Sequence, residues 1–154
     1  MSSVLTSETI VDESTGFYKE CLSMSWDGFE MLTNKIANDI ISYTERTNAT
    51  FRNSDVPLTF SGVYGFPRGG LVLAVKLSHI LNLPLLMAPS PGCIVCDDIS
   101  DSGYTLKKYS NCNYYTATLI TRKGTESKPM FAGEEVAEDN WILFPWEHYE
   151  FVKE

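Results

Sequence analysis

The apolar positions of this chain fall into runs of different period, and each period predicts an element. Phe29, Leu32, Ile36, Ile40 and Tyr43 recur at spacings of three and four, with Asn34, Lys35, Asn38 and Asp39 between them. That is the stripe of an amphipathic helix with one wet face. Ser25 stands before Trp26, Asp27 and Gly28 as an N-cap followed by an acid in the first turn, so this helix is expected to begin there and to end near 43–47. Residues 47–57 read as a loop, and 58–64 alternate enough for a strand. Residues 71–81 are apolar except for Lys76, Ser78 and His79 and read as a buried helix with His79 in its exposed sector. A short strand is expected at 83–87. The four apolar residues 93–96 suit a buried parallel strand. A short helix follows at 106–110. Residues 114–121, rich in β-branched and aromatic side chains, read as another strand, and 126–140, polar with Pro129 and Gly133, as mostly loop. The first dozen residues read as a loose arm or a short edge strand. Strands alternating with helices predict an α/β fold, a central parallel sheet flanked by helices.

Candidate chemistry gathers where the strands are expected to end. Asp97 and Asp98 follow the 93–96 run, and Ser102, Gly103 and Thr105 fill the loop that leads to the next helix. In open α/β sheets, ligands sit outside the carboxyl ends of the strands. A loop running into a helix offers backbone N–H groups to a phosphate. Gly103 lets the backbone approach closely, and Ser102 and Thr105 add hydroxyl donors. The acid end of the segment suits sugar hydroxyls or a metal ion, and the loop end suits a phosphate. The plainer reading is an acidic turn. Arg68, Gly69 and Gly70 close the preceding strand and open the 71–81 helix, which makes a second anion site. Alone, those three residues read as a tight turn. Arg122 and Lys123 end the 114–121 strand on the same side, as ligand contacts or as a solvated basic turn. Residues 141–147, Trp-Ile-Leu-Phe-Pro-Trp-Glu, need burial or a ligand to stack on.

Composition narrows the partners. A chain of 154 residues suits one domain with a real core. The net charge of −8 argues against nucleic acid as a partner, while a local pocket can still hold an anion. No apolar run is long enough to span a bilayer, and the N-terminus lacks the basic start and apolar core of a secretory signal. No membrane partner is expected, and a cytoplasmic location is. Cys93 and Cys96 form a C-x-x-C, but there is no second such pair and no nearby His. With Cys21 and Cys112 they are expected to be reduced, buried small hydrophobes rather than a zinc or redox site.

Residues 93–105 resemble, without a gap, the PRPP-binding signature of the type I phosphoribosyltransferases: a hydrophobic strand, two acids, then Asp-Ser/Thr-Gly-x-Thr. Residues 64–73, Tyr-Gly-Phe-Pro-Arg-Gly-Gly-Leu-Val-Leu, resemble the pyrophosphate loop of the purine branch, departing at Pro67 and Leu73, where Ser and Pro are usual. Residues 141–147 resemble the Trp-Ile-x-x-Pro-Trp-Glu/Asp ending of xanthine–guanine phosphoribosyltransferases. Ser25-Trp26-Asp27 more weakly resembles the opening of those and of the hypoxanthine enzymes, with Trp26 expected to pack rather than touch ligand.

The resemblance implies the type I phosphoribosyltransferase fold as a single domain, with a small hood built from about 1–20 and 125–154. It implies a purine phosphoribosyltransferase that moves 5-phosphoribosyl from PRPP to N9 of a 6-oxopurine (guanine, xanthine or hypoxanthine) and releases pyrophosphate, as in purine salvage. By the same resemblance PRPP is held by Arg68, Gly69, Gly70, Asp97, Asp98, Asp101, Ser102, Gly103, Tyr104 and Thr105. Asp97 and Asp98 meet the ribose hydroxyls, directly or through Mg²⁺, and 101–105 wrap the 5′-phosphate. Asp101 manages the proton at N7, and Arg68 stabilises the leaving group. Arg122 or Lys123 meets O6, while Trp141 and Ile142 line the base pocket, unless the tail serves packing alone. Trp146 and Glu147 are assigned to structure. A homodimer or homotetramer is implied.

The chain departs from the family before Cys93, where about half a dozen residues replace a long flexible loop. Another segment or subunit then closes the site, or transfer is slow, or the protein only binds. The last option makes it a catalytically weak or inactive PRPP- or nucleotide-binding regulator of the same fold.

Overall fold

The computed structural model describes residues 3–51, 56–111, 113–137 and 139–147. Cys112 therefore lies outside the described residues. The chain divides into two compact units, residues 32–137 and a terminal unit of residues 1–31 with 138–154. In chain order the elements are β1 Leu5–Val11, β2 Tyr18–Met24, α1 Trp26–Thr50, β3 Val63–Gly65, α2 Gly69–Leu81, β4 Ile94–Ser100, α3 Tyr104–Lys107, β5 Tyr115–Arg122, β6 Phe131–Val136 and β7 Trp141–Leu143.

The larger unit is built on four parallel strands in the order β3-β4-β5-β6. The two inner strands carry the core. Ile94, Val95 and Cys96 of β4 and Ala117, Leu119 and Ile120 of β5 are fully buried. Burial on both faces is why 93–96 reads as a continuous apolar run rather than an alternating one; β5 is as buried but carries Thr116, Thr118 and Thr121 among its apolar residues. Helix α2 packs on β3 and β4 through Gly70, Leu73, Ala74 and Leu77, one stripe at helical spacing. It ends at Asn82, whose N–H donates to the His79 carbonyl at 3.4 Å and whose left-handed backbone (φ 52°) turns the Leu83 N–H onto the Ser78 carbonyl at 3.0 Å. From Leu32 onward, α1 buries Thr33, Ile36, Ala37 and Ile40, and Tyr43 sets its ring edge-on to Phe131 and Tyr115. The helix runs to Thr50, beyond the expected end near 43–47.

Several expectations are corrected. Strand β4 does not stop at Cys96; it continues through both acids to Ser100, because Asp97, Ile99 and Ser100 pair in register with Thr118, Ile120 and Thr121 of the longer β5. The third strand is limited to Val63–Gly65, and 83–87 contributes a single bridge, Leu85 to Val63. Helix α3 begins two residues earlier than expected and is one turn long. The expected loop at 126–140 contains β6. Its sequence, Phe-Ala-Gly-Glu-Glu-Val, has weak strand propensity because of the glycine and the acids. Gly133 is required by packing: a Cβ there would run into the Leu119 carbonyl and lie 3.1 Å from Leu32 Cβ. Glu135 is exposed and Glu134 half-buried, which an edge strand tolerates.

In the terminal unit, β1 and β2 form an antiparallel hairpin from Leu5↔Met24 to Val11↔Tyr18, and β7 joins β2 in parallel. Of the two readings offered for the N-terminus, the edge strand is the observed one. Strand β2 gave no clear sequence signal because Tyr18, Lys19 and Glu20 are exposed and only Cys21 and Met24 are buried. The hairpin turn is fixed by Asp12, whose Oδ1 accepts the Ser14 N–H at 2.9 Å and the Ser14 hydroxyl at 2.6 Å. Ser25 caps α1 as its sequence predicts, its Oγ accepting the Gly28 N–H at 3.0 Å. Among the described residues no helix is long and apolar enough to cross a membrane.

Candidate functional site

Because β3, β4 and β5 are parallel, the segments that follow them emerge at one edge of the sheet. Those segments are the Arg68-Gly69-Gly70 turn, the loop at 101–105 and the Arg122-Lys123 turn, so the topology alone brings three predicted groups together. The acid pair lies in the last part of β4, at the same edge.

The glycine turn and the acid pair touch. A Cβ built on Gly69 would collide with the Asp98 carboxylate, its Cγ 2.6 Å away. A Cβ on Gly70 would lie 2.6 Å from the Cys96 carbonyl and 2.9 Å from Asp97 Cα. The Phe66 N–H donates to the Cys96 carbonyl at 3.0 Å and ties the turn to β4. Two successive glycines are therefore needed so that the turn can lie against the acid pair. Arg68 is exposed at the start of α2, and the peptide bond preceding it is cis.

Within the acid pair, the Asp98 N–H donates to Asp97 Oδ1 at 2.9 Å and the Ile99 N–H to Asp98 Oδ1 at 2.9 Å. Partial burial, followed by the neighbouring Asp98 charge, pushes the Asp97 carboxyl up to about 7. Two carboxylates so placed attract cations or sugar hydroxyls. Among the described residues no cluster of three or more His, Cys, Asp or Glu exists to cage a metal. The pair fits a Mg²⁺ ion shared with phosphate oxygens and water, the usual arrangement for that ion.

The loop at 101–105 turns on Gly103, in the left-handed region at φ 86°. It is braced by the segment after β5. A Cβ on Gly103 would meet the Ser127 nitrogen at 2.5 Å and Thr125 Oγ1 at 2.6 Å. The Glu126 N–H donates to the Ser102 carbonyl at 3.0 Å, and the Ser102 hydroxyl accepts the Tyr104 N–H at 3.3 Å. Ser102, Tyr104 and Thr105 are exposed at the loop rim. Asp101, also exposed, is 3.5 Å from Arg122 Nε, so a predicted proton acceptor and a predicted base contact form an ion pair. Lys123 is exposed, with its N–H on the Val136 carbonyl at 3.1 Å. Sequence reasoning missed Ser100, Thr125 and Ser127. All three are buried and polar, and the only available hint was a run of small hydroxyl residues in a stretch read as loop.

Trp141 and Ile142 belong to the terminal unit. Ile142 is buried; Trp141 is 44% exposed, with Lys19 Nζ 4.5 Å from its ring centre. Trp146 stacks on Phe144 at 4.9 Å and meets Phe29 and Trp26, and Glu147 Oε2 accepts the Phe144 N–H at 2.9 Å. Those roles are structural.

Cys21, Cys93 and Cys96 are buried free thiols, and burial pushes each of them up, Cys96 most strongly. Thiols held protonated in this way make poor metal ligands and nucleophiles.

The short segment before β4 does not reach the acids. The Gly92 carbonyl accepts the Ser61 N–H at 3.0 Å, the Gly92 N–H donates to the Asn113 carbonyl at 2.6 Å, and the Ser61 hydroxyl donates to the Pro91 carbonyl at 3.1 Å. These bonds pin it at the amino end of β4, one strand length from Asp97 and Asp98.

No family model matches the sequence. Solved structures do match the fold. A purine phosphoribosyltransferase from Pyrococcus horikoshii superposes with a TM-score of 0.62 at 23% identity, over 86% of this chain and 97% of its own. The xanthine-guanine-hypoxanthine phosphoribosyltransferase of Helicobacter pylori gives 0.57 at 18% identity, over 81% and 92%. A hypothetical protein from Neisseria gonorrhoeae, solved with bound ppGpp, gives 0.53 at 20% identity, over 80% and 87%. With parallel strands carrying an acid pair, a glycine-rich turn and a hydroxyl-rich loop at one edge, the chain has the type I phosphoribosyltransferase fold.

Proposed function

We propose that this protein is a purine phosphoribosyltransferase that uses PRPP and a 6-oxopurine (guanine, xanthine or hypoxanthine) and releases pyrophosphate. The observation that carries the reading is the contact of the Gly69-Gly70 turn with Asp97 and Asp98. It brings the turn proposed to receive the pyrophosphate beside the pair of carboxylates proposed for the ribose hydroxyls, with the 101–105 loop next along the same sheet edge. In the reaction the bond from C1′ to the pyrophosphate oxygen breaks and a bond from C1′ to N9 of the base forms. The pyrophosphate leaves with the bonding pair, and the proton displaced from the base passes to the Asp101 carboxylate. The protein's work is to hold the reactants in line and to stabilise charge. Asp97 and Asp98 orient the ribose. Residues 101–105 hold the 5′-phosphate. Arg68 and the glycine N–H groups receive the leaving group. Mg²⁺, held by Asp97 and Asp98, would neutralise part of the pyrophosphate charge. Arg122 or Lys123 donates to O6 of the base, which favours 6-oxopurines over adenine because a cation can only donate. Trp141 and Ile142 are the tail residues assigned to the purine, with the Trp141 ring as its stacking surface. A homodimer or homotetramer in the cytoplasm completes the proposal.

The test is pyrophosphate release from PRPP and Mg²⁺ with each purine in turn. Release on adding a 6-oxopurine is expected, together with its loss in the Asp97→Asn/Asp98→Asn double variant while the fold is retained. Near wild-type release in that variant would refute the ribose–metal role. A second reading is a regulator that binds PRPP or a nucleotide without transfer. It is favoured by the pinned segment before β4, which leaves that stretch unable to exclude water over the acids. Tight nucleotide binding without pyrophosphate release for any base would favour it.

A further inference from the structure

The loop assigned to the phosphate and the turn assigned to the base are joined by buried hydroxyls that neither role requires. The Ser100 hydroxyl donates to the Ser127 carbonyl at 3.1 Å and lies 3.1 Å from Thr125 Oγ1, which is itself 3.4 Å from the same carbonyl. One arrangement uses both protons: Thr125 donates to Ser100, and Ser100 donates to Ser127. Thr125 is bonded on its other side as well, since its N–H donates to the Arg122 carbonyl at 3.3 Å. Its hydroxyl also occupies the space that opens where Gly103 has no side chain. One buried residue thus touches Ser100, the end of β4 from which the phosphate loop starts, the turning glycine of that loop and the backbone of Arg122.

We infer that Thr125 is a positioning residue that couples the two halves of the site: the conformation the 101–105 loop takes around a phosphate fixes, through Thr125, where Arg122 stands for the base. The inference rests on the proposed reading of the two turns. It differs from a general bracing role because it predicts that the hydroxyl matters for base recognition when the phosphate is bound, and little for the phosphate alone. Buried hydroxyl pairs transmit position well, since breaking one leaves a buried group unsatisfied.

The test is calorimetric titration of guanosine 5′-monophosphate and of ribose 5-phosphate into the wild type, Thr125→Val and Thr125→Ser. Valine keeps the shape and removes the hydroxyl; serine keeps the hydroxyl. Thr125→Val is expected to weaken the nucleotide about tenfold and ribose 5-phosphate by less than about twofold, the size of effect one buried hydrogen bond supports. Thr125→Ser is expected to hold both within about twofold of wild type. Equal weakening of both ligands would reduce Thr125 to a structural brace and overturn the inference. So would no weakening, or a serine variant as poor as valine. If the wild type bound ribose 5-phosphate but the nucleotide no tighter, the coupling alone would fail; if it bound neither, the phosphoribosyl reading would fall with it.

Discussion

Replacing Gly69 with alanine probes the contact on which the site is built. The new methyl carbon would stand 2.6 Å from Asp98 Cγ and 3.0 Å from Asp98 Cβ. Non-bonded carbons settle at about 3.5–4.0 Å, so the overlap with the carboxyl carbon is roughly 1 Å. Asp98 cannot turn away freely, because its Oδ1 accepts the Ile99 N–H at 2.9 Å and its Cβ is fixed by β4. Overpacking of this kind costs about 1–3 kcal/mol, and a lost hydrogen bond about 1 kcal/mol more. Gly69→Ala is therefore expected to lose roughly 2–4 kcal/mol in urea unfolding followed by far-ultraviolet circular dichroism. Asp98→Ala removes the carboxyl and leaves only the 3.0 Å Cβ contact. The double variant should then be more stable than the sum of the singles by about 1–2 kcal/mol. Gly70→Ala is the comparator. Its methyl meets backbone, the Cys96 carbonyl and Asp97 Cα, so Asp98→Ala should give it no relief. Additivity of Gly69→Ala and Asp98→Ala within about 0.5 kcal/mol would refute the reasoning, since it would mean that the turn and the acid do not touch.

Three further outcomes follow from particular side chains. The Asp97 carboxyl titrates near 7 in the folded protein against 3.8 otherwise, so the folded state holds the extra proton between those values and stability falls as pH rises through them. With divalent ions chelated, Asp97→Asn, which keeps the acceptor for the Asp98 N–H, is expected to gain about 1–3 kcal/mol at pH 8 and nothing at pH 4, a discounted share of the roughly 4 kcal/mol the full shift represents. No gain at pH 8 would contradict the burial of that charge. Thr118 Oγ1 is fully buried and has no partner among the described residues, so Thr118→Val should raise stability by about 1 kcal/mol, and a fall in melting temperature would expose a hidden partner. In a Cys112→Ser variant the three remaining thiols should resist a disulfide reagent at pH 8 until urea is added, whereas rapid reaction of the folded protein would contradict their burial.

The parts of the fold that were legible in the sequence are those where burial is two-sided or where a local bond sets an element's end. The run at 94–96 is apolar, and 117–120 carries no charge, because the inner strands are covered on both faces. Ser25 marked the start of α1 because its hydroxyl caps the helix. The glycines at 69 and 70 were legible as a tight turn between β3 and α2, and nothing larger fits there against the acids. What was missed depends on partners remote in sequence. Strand β6 exists because β5 offers a free edge to pair with, and its Gly133 and two glutamates hide it from propensity. Strand β2 is half wet and pairs with β1 and β7 from the two ends of the chain. The continuation of β4 through Asp97 and Asp98 follows from the length of β5 rather than from anything local to the acids. Thr125 gave only a faint signal because its partners, Ser100 and Gly103, precede it by more than twenty residues.

The most direct measurement is a crystal structure with guanosine 5′-monophosphate bound. The account predicts the 5′-phosphate on the backbone of residues 101–105, with the ribose hydroxyls at Asp97 and Asp98 and the purine O6 facing Arg122 or Lys123. A nucleotide bound with its phosphate away from that loop, or with its ribose out of reach of both acids, would contradict it.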